Sequence, residues 1–151
     1  MDGGAVKRIA ALCAPGGDDR VFEIGAGTGA LTRALLDRGA SVTAIEIDPV
    51  LVGVLGERED LASAAIVRAD ALAFDYDAVT TDPWCAAGNL PYNVATPLVL
   101  RWLELERPPA RIVAMLQRDV VDRLIARPST PQYGSLTLYV SYAMDVRRAF
   151  V

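Results

Sequence analysis

Three features of this sequence predict an α/β fold, a mostly parallel sheet with helices on both faces. Short apolar runs of strand character alternate from Arg20 onward with stretches of helical spacing. A glycine-rich turn, Gly25-Ala26-Gly27-Thr28-Gly29, follows the first run and opens into a helix. Glu46, Asp70 and Asn89 then close the next three runs in succession. Strand, helix, strand at this spacing implies right-handed crossovers, and ligands on such sheets sit beyond the carboxyl ends of the strands.

At 151 residues the chain suits one domain, burying roughly two thirds of the surface its unfolded form exposes, with no room for a second core. Hydrophobic residues make up 52%, yet no apolar run nears the roughly 20 residues of a membrane helix. The first residues lack the basic, apolar and small-residue sections of a secretory signal, so a cytoplasmic globular domain is expected. Cys13 and Cys85 have no metal-type spacing and read as reduced core thiols. A net charge of −4 counts against a nucleic-acid partner, but its distribution is uneven. Residues 1–75 hold seven basic and twelve acidic side chains, and residues 76–151 hold eight and seven. Those eight are all arginines, from Arg101 to Arg148, and belong either to a nucleic-acid surface or to an ordinary solvated one.

Asp2 can cap a first helix through about Ala14, with Val6, Ile9, Ala10 and Cys13 at helical spacing, and Pro15 to Asp18 ends it. Arg20 to Ile24 is a buried strand, and the helix after the glycine turn carries Leu31, Leu35 and Leu36 inward and stops at Gly39. Ser41 to Ile47 is the second strand, with Pro49 as the first residue of the next helix. Ala65 to Arg68 is the third strand. Asp75-Tyr76-Asp77 and Thr80-Thr81-Asp82 read as surface connection, and Trp84 to Gly88 is the fourth strand. Thr96 and Pro97 are expected to cap and start a helix burying Leu98, Trp102 or Leu103, and Leu105, broken at Arg107-Pro108-Pro109. Arg111 to Leu116 is a fifth strand and Gln117 to Arg127 a helix with Val120, Val121, Leu124 and Ile125 inward. Pro128 to Gly134 is a loop. Leu136, Leu138, Val140 and Tyr142 alternate as a sixth strand should.

The chemistry is expected at Asn89-Leu90-Pro91-Tyr92. The exocyclic amine of adenine is a poor nucleophile because its lone pair is delocalised into the ring. An amide oxygen on Asn89 and the backbone carbonyl of Leu90 or Pro91 can accept its two N–H groups, while the ring of Tyr92 offers a face for a flipped base. Such a site needs neither metal nor histidine, and the chain has no histidine. The plainer reading of the same four residues is a strand-ending turn. Glycines at 25 and 27 let a ligand lie against backbone. The G-x-G-x-G spacing after the acidic Glu23 suits a cationic sulfonium with an amino-acid tail, whereas a nicotinamide-dependent oxidoreductase would favour G-x-G-x-x-G. Glu46 can accept ribose hydroxyls, and Asp70 the amino protons of a cofactor's adenine.

Together these residues resemble the ribosomal RNA adenine N6,N6-dimethyltransferase family. The glycine-rich stretch from Glu23 to Thr32 resembles its first motif, Ile45-Glu46-Ile47-Asp48 its second, Asp70-Ala71 its third and Asn89-Leu90-Pro91-Tyr92-Asn93 its fourth. The run from Met115 to Leu124 and Tyr133-Gly134-Ser135-Leu136 resemble a later helix and loop. The resemblance implies a Rossmann-like class I methyltransferase domain that uses S-adenosylmethionine. Contacts to that cofactor would come from Glu23, Gly25, Gly27, Glu46, Ile47, Asp70, Ala71 and Asn89. Asn89, Leu90, Pro91 and Tyr92 would hold the target adenine while its N6 is methylated twice, most directly in small-subunit ribosomal RNA during ribosome assembly. Large-subunit RNA and a non-catalytic module binding cofactor or ribosome are the alternatives. The implied partner is the small ribosomal subunit, with no membrane and a monomeric chain. Because the family's cofactor-covering segment, last strand and C-terminal helical RNA-binding domain have no counterpart here, residues 1–151 are expected to be a single-domain core fragment. Phe150 is not equated with the family's stacking phenylalanine.

Overall fold

The computed structural model describes residues 2–17, 19–79 and 83–150. Its strands are β1 (Arg20–Ile24), β2 (Ser41–Glu46), β3 (Ala65–Arg68), β4 (Trp84–Asn89) and β5 (Arg111–Met115). All pair in parallel, in the order β3-β2-β1-β4-β5. The chain therefore winds outward from β1 in one direction, then crosses back to β4 and continues in the other. Every strand's carboxyl end falls on one edge of the sheet, and the reversal between β1 and β4 opens a crevice there.

The helices are α1 (Gly3–Cys13), α2 (Ala30–Leu36), α3 (Pro49–Gly56), α4 (Tyr92–Leu103), α5 (Arg118–Leu124) and α6 (Ser135–Ala143). Successive strand residues point to opposite faces, which divides the core in two. Val21, Val42, Cys85 and Ala87 pack beneath α1 and α2. Phe22, Ile24, Trp84 and Ala86 pack beneath α4, α5 and α6. The Asp2 carboxylate caps α1 by accepting from the Gly4 and Ala5 N–H groups, and Asp48 caps α3 by accepting from Val50 at 2.8 Å. Cys13 and Cys85 are both free and buried, and a hydrogen bond between the thiols together with burial pushes Cys13 far above the usual thiol range. It is an inert core residue.

Small residues let β4 sit close to β1. A Cβ at Gly88 would stand 2.5 Å from the Ile24 carbonyl oxygen, so no larger residue fits without moving backbone. That close approach sets the height of the β4 tip relative to the glycine turn.

Three expectations are corrected. The predicted sixth strand is helix α6, because its buried residues are Leu136, Thr137 and Val140, at helical spacing, whereas Leu138 and Tyr142 are exposed. The Thr137 hydroxyl fastens it by donating to the Arg123 carbonyl at 2.6 Å and accepting from the Gly134 N–H. Tyr76 is not on the surface. It is fully buried, stacked on Trp84 with ring centroids 5.4 Å apart and edge-on to Phe22, Phe74 and Trp102. Thr80, Thr81 and Asp82, read as part of the same connection, lie outside the described residues, as does Asp18. Finally, α4 starts at Tyr92 and holds Pro97 inside it. The Pro91 carbonyl takes the Val94 and Ala95 N–H groups, so the helix nucleates there rather than at Thr96. The cost of an internal proline, about 3 kcal/mol, is offset by burial of Ala95, Leu98, Val99 and Trp102 on one stripe.

Candidate functional site

The turn after β1 is left-handed at three points, with φ of 68° at Gly25, 58° at Gly27 and 83° at Gly29. Side chains rarely adopt that conformation, which accounts for the three glycines. They differ in what they face. A Cβ at Gly29 would collide with Leu61 at 2.5 Å, whereas at Gly25 it would meet nothing within 4 Å. Gly29 is a packing requirement, and Gly25 borders open space.

Glu46 ties this turn to the tip of β2. Its carboxylate accepts from the Gly27 N–H at 3.0 Å, Ile47 at 2.8 Å and Asp48 at 3.1 Å. The side chain is buried but its capacity is not exhausted, since a carboxylate has about four acceptor positions. The Ile47 side chain beside it is 62% exposed, an apolar face standing open next to a buried acceptor.

At the β3 tip the Ala69 N–H donates to the Glu46 carbonyl, which places Asp70 beside Ile47 along the same edge. One Asp70 carboxylate oxygen accepts from the Leu72 N–H at 2.9 Å and fixes a tight turn through residues 71–74. The other oxygen is uncommitted among the described residues. Buried Tyr76 steadies the loop from below, its hydroxyl donating to the Ala71 carbonyl at 3.1 Å. Burial pushes that phenol up to about 12, so it keeps its proton.

Glu23 is placed differently from the expectation. It is 2% exposed and its carboxyl is held by the Thr32 hydroxyl at 2.6 Å, between β1 and α2. Burial, opposed by that hydrogen bond, pushes it up to about 7. Glu23 therefore acts under the glycine turn, through Thr32 and α2, and not as an open acceptor in the crevice.

On the other side of the switch, β4 delivers Asn89 to the edge with its side chain exposed. The Leu90 N–H donates to the Met115 carbonyl at 3.1 Å, carrying the β4–β5 ladder one residue past the strand. The Leu90 and Pro91 carbonyls differ in how α4 uses them. Pro91 already accepts from Val94 at 3.1 Å and Ala95 at 3.0 Å, filling both lone pairs. The Leu90 carbonyl accepts nothing among the described residues. Tyr92 opens α4 with its ring 56% exposed.

Asn89, Leu90 and Pro91 line one side of a cavity of about 360 Å³, and Met115, Leu116 and Gln117 line the other. These last three were not singled out as site residues from sequence. The signal available was their position at the carboxyl end of the neighbouring strand. Phe150 lies elsewhere, packed against α1 under the Arg8 guanidinium at 4.5 Å. Gly25, Gly27, Glu46, Ile47, Asp70, Ala71 and Asn89 thus fall on a single edge of the sheet, with the amide-lined cavity at one end of it and exposed Tyr92, which does not line that cavity, next in the chain. Such an edge can seat an adenosine-like ligand against the β1–β3 tips and present a second planar amine at the β4–β5 tips.

Among the described residues no helix is long and apolar enough to cross a membrane. Residues 2–149 match a family model described as ribosomal RNA adenine dimethylase. A ribosomal RNA small subunit methyltransferase A of Geobacter sulfurreducens is 38% identical over 97% of this chain and 55% of its own length. Among solved structures, a dimethyladenosine transferase from Plasmodium falciparum superposes with a TM-score of 0.78 at 25% identity, over 91% of this chain and 50% of that one. The 23S rRNA methyltransferase ErmE gives 0.70 at 30% identity, over 82% and 49%. The chain spans about half the length of the curated relatives it matches.

Proposed function

This chain belongs to the ribosomal RNA adenine dimethylase family, and from that premise we propose that it carries the methyl-transfer core for adenine N6 in small-subunit ribosomal RNA, using S-adenosylmethionine. The single observation that supports this most is that one cavity is lined by exposed Asn89 and by Leu90, whose carbonyl accepts nothing among the described residues. Two acceptors side by side match the two N–H groups of an exocyclic amine and would oppose the carbonyl of guanine or uracil.

The fit to the cofactor rests on residues of the other tips. Gly25 leaves the space a Cβ would fill, Glu46 keeps about one acceptor position for a ribose hydroxyl, and Ile47 offers an apolar face for adenine, with Asp70 and Ala71 beside it. When bound, S-adenosylmethionine supplies an electrophilic methyl group on sulfur. The protein's own part is positioning. Asn89 and Leu90 hold the amine by its protons, which draws its lone pair out of conjugation. Tyr92 offers its ring face to the base, and Leu90, Met115 and Leu116 make the surroundings apolar, so that each hydrogen bond is stronger than in water. No side chain in this set needs to take a proton before transfer, because the amine loses its proton to solvent afterwards.

The names of the curated relatives support small-subunit RNA as substrate, and with it action in the cytoplasm on assembling subunits; that the chain acts as a monomer is part of the same proposal. The likeness to ErmE supports large-subunit RNA as a second reading. Labelled methyl transfer to undermethylated small and large subunits, with the chain extended to the length of its relatives, separates the two. Label on small subunits, lost in Asn89→Ala, is expected. Transfer by Asn89→Ala at the unmodified rate would refute the assignment.

A further inference from the structure

The cavity at the β4–β5 tips has two polar walls, and the proposed reaction uses only one. On the β5 side of the same cavity stands Gln117, the residue before α5, two positions beyond the Met115 that pairs with Asn89. Its backbone carbonyl accepts from the Val121 N–H at 3.1 Å, but its side chain makes no capping bond and is exposed. Glutamine is a weak choice for that position, where Ser, Thr, Asp or Asn would satisfy the helix. The amide gives no hydrogen bond to the start of α5. Nor does it have another partner among the described residues.

Register carries it to the pocket. Asn89 pairs with Met115, and the Leu90 N–H bonds the Met115 carbonyl, so the strand tips run on side by side to Pro91 and Gln117. Of the six lining residues, only Asn89 and Gln117 carry amides. Between them lie Leu90, Pro91, Met115 and Leu116, apolar walls that suit a flat aromatic ring. An adenine whose amine is bound by Asn89 and Leu90 still has an acceptor nitrogen flanking that amine on each side of the ring. Buried without a donor, such a nitrogen weakens binding by the cost of a lost water hydrogen bond. Elsewhere a single Asn or Gln amide recognises adenine by accepting from N6 and donating to N7, and here the two halves of that pattern would be divided between two residues.

We propose that the Gln117 side-chain amide donates to a ring nitrogen adjacent to the adenine amine, so that β4 holds the reacting group and β5 identifies the base. This rests on the adenine pocket proposed above. Gln117 is then a specificity residue: a donor at N1 rejects guanine and uracil, which carry N–H at the matching position, and a donor at N7 rejects pyrimidines, which have no nitrogen there.

The test uses the 151-residue chain saturated with S-adenosylhomocysteine, so that a second nucleoside does not compete for the β1–β3 tips. Adenosine 5′-monophosphate is titrated while the side-chain amide resonances of Asn89 and Gln117 are followed by NMR. Both are expected to shift. Gln117→Ala should weaken adenosine monophosphate about tenfold, as loss of one enclosed hydrogen bond does. Gln117→Glu, equal in size but without a donor, should weaken it at least as much, with the folded spectrum unchanged. If both variants bind within about twofold of the parent while Asn89 still shifts, the role of Gln117 is overturned and the pocket stands. If Asn89 does not respond although S-adenosylhomocysteine binds, the pocket reading itself fails and takes this inference with it.

Discussion

Replacing Glu23 by Gln tests the interior of the site. Glu23 lies 2% exposed under the glycine turn, where burial raises its carboxyl from an ordinary 4.5 to about 7 despite the Thr32 hydrogen bond. Between those values the folded chain binds a proton that the unfolded chain has released. The contribution of Glu23 to stability is therefore fully present below about pH 4.5, falls as pH rises toward 7, and stays lost above it. At about 1.4 kcal/mol for each pH unit the total is about 3 kcal/mol, a large share of the stability of a domain this size. Glu23→Gln keeps the shape and an acceptor for Thr32 but removes the charge. Urea unfolding of both proteins at pH 5, 6, 7 and 8 should give curves that converge at low pH and separate by about 3 kcal/mol at pH 8, with the Gln variant the more stable. Other titrating groups are common to both proteins and cancel in the difference. Parallel profiles would show that the carboxyl is not desolvated, and the account of Glu23 as a buried support would be wrong.

Three further outcomes follow from the same geometry. Gly88→Ala places a Cβ 2.5 Å from the Ile24 carbonyl oxygen, and should cost about 1–3 kcal/mol in urea unfolding; a change under about 0.5 kcal/mol would mean that β4 can shift freely. Glu46→Gln removes charge from a carboxylate serving three backbone N–H groups, so calorimetric affinity for S-adenosylhomocysteine should fall at least about tenfold; unchanged affinity would remove Glu46 from the cofactor set. Asp48→Ala loses the α3 cap to Val50 and should cost about 1 kcal/mol in the same unfolding assay, and no loss would argue that the cap is solvent-satisfied.

How far the sequence could be read depended on how local each cause was. The five strands and the glycine turn were legible because apolar runs, breakers and capping residues lie within a few positions of what they control. Asp2 caps the helix it precedes, and Pro49 opens the one it is expected to start. Residues 136–142 failed because leucines and valines spaced by two satisfy a strand pattern, while burial of Leu136, Thr137 and Val140 depends on α4 and α5 lying beneath. Tyr76 failed for a related reason. Flanked by two aspartates it looks solvated, and only the aromatic cluster of Phe22, Phe74, Trp84 and Trp102 reveals a buried slot.

The order of residues by itself determined the parallel sheet and which side chains end its strands, since period, breakers and caps act over one or two turns of chain. Tertiary structure alone decided which of those groups remain free. It gave the Pro91 carbonyl to α4, left that of Leu90 without a partner among the described residues, enclosed Glu23, and put Gln117 in the same cavity lining as Asn89. Hydrogen-bond capacity and water are allotted by neighbours distant in sequence, and no local pattern records them.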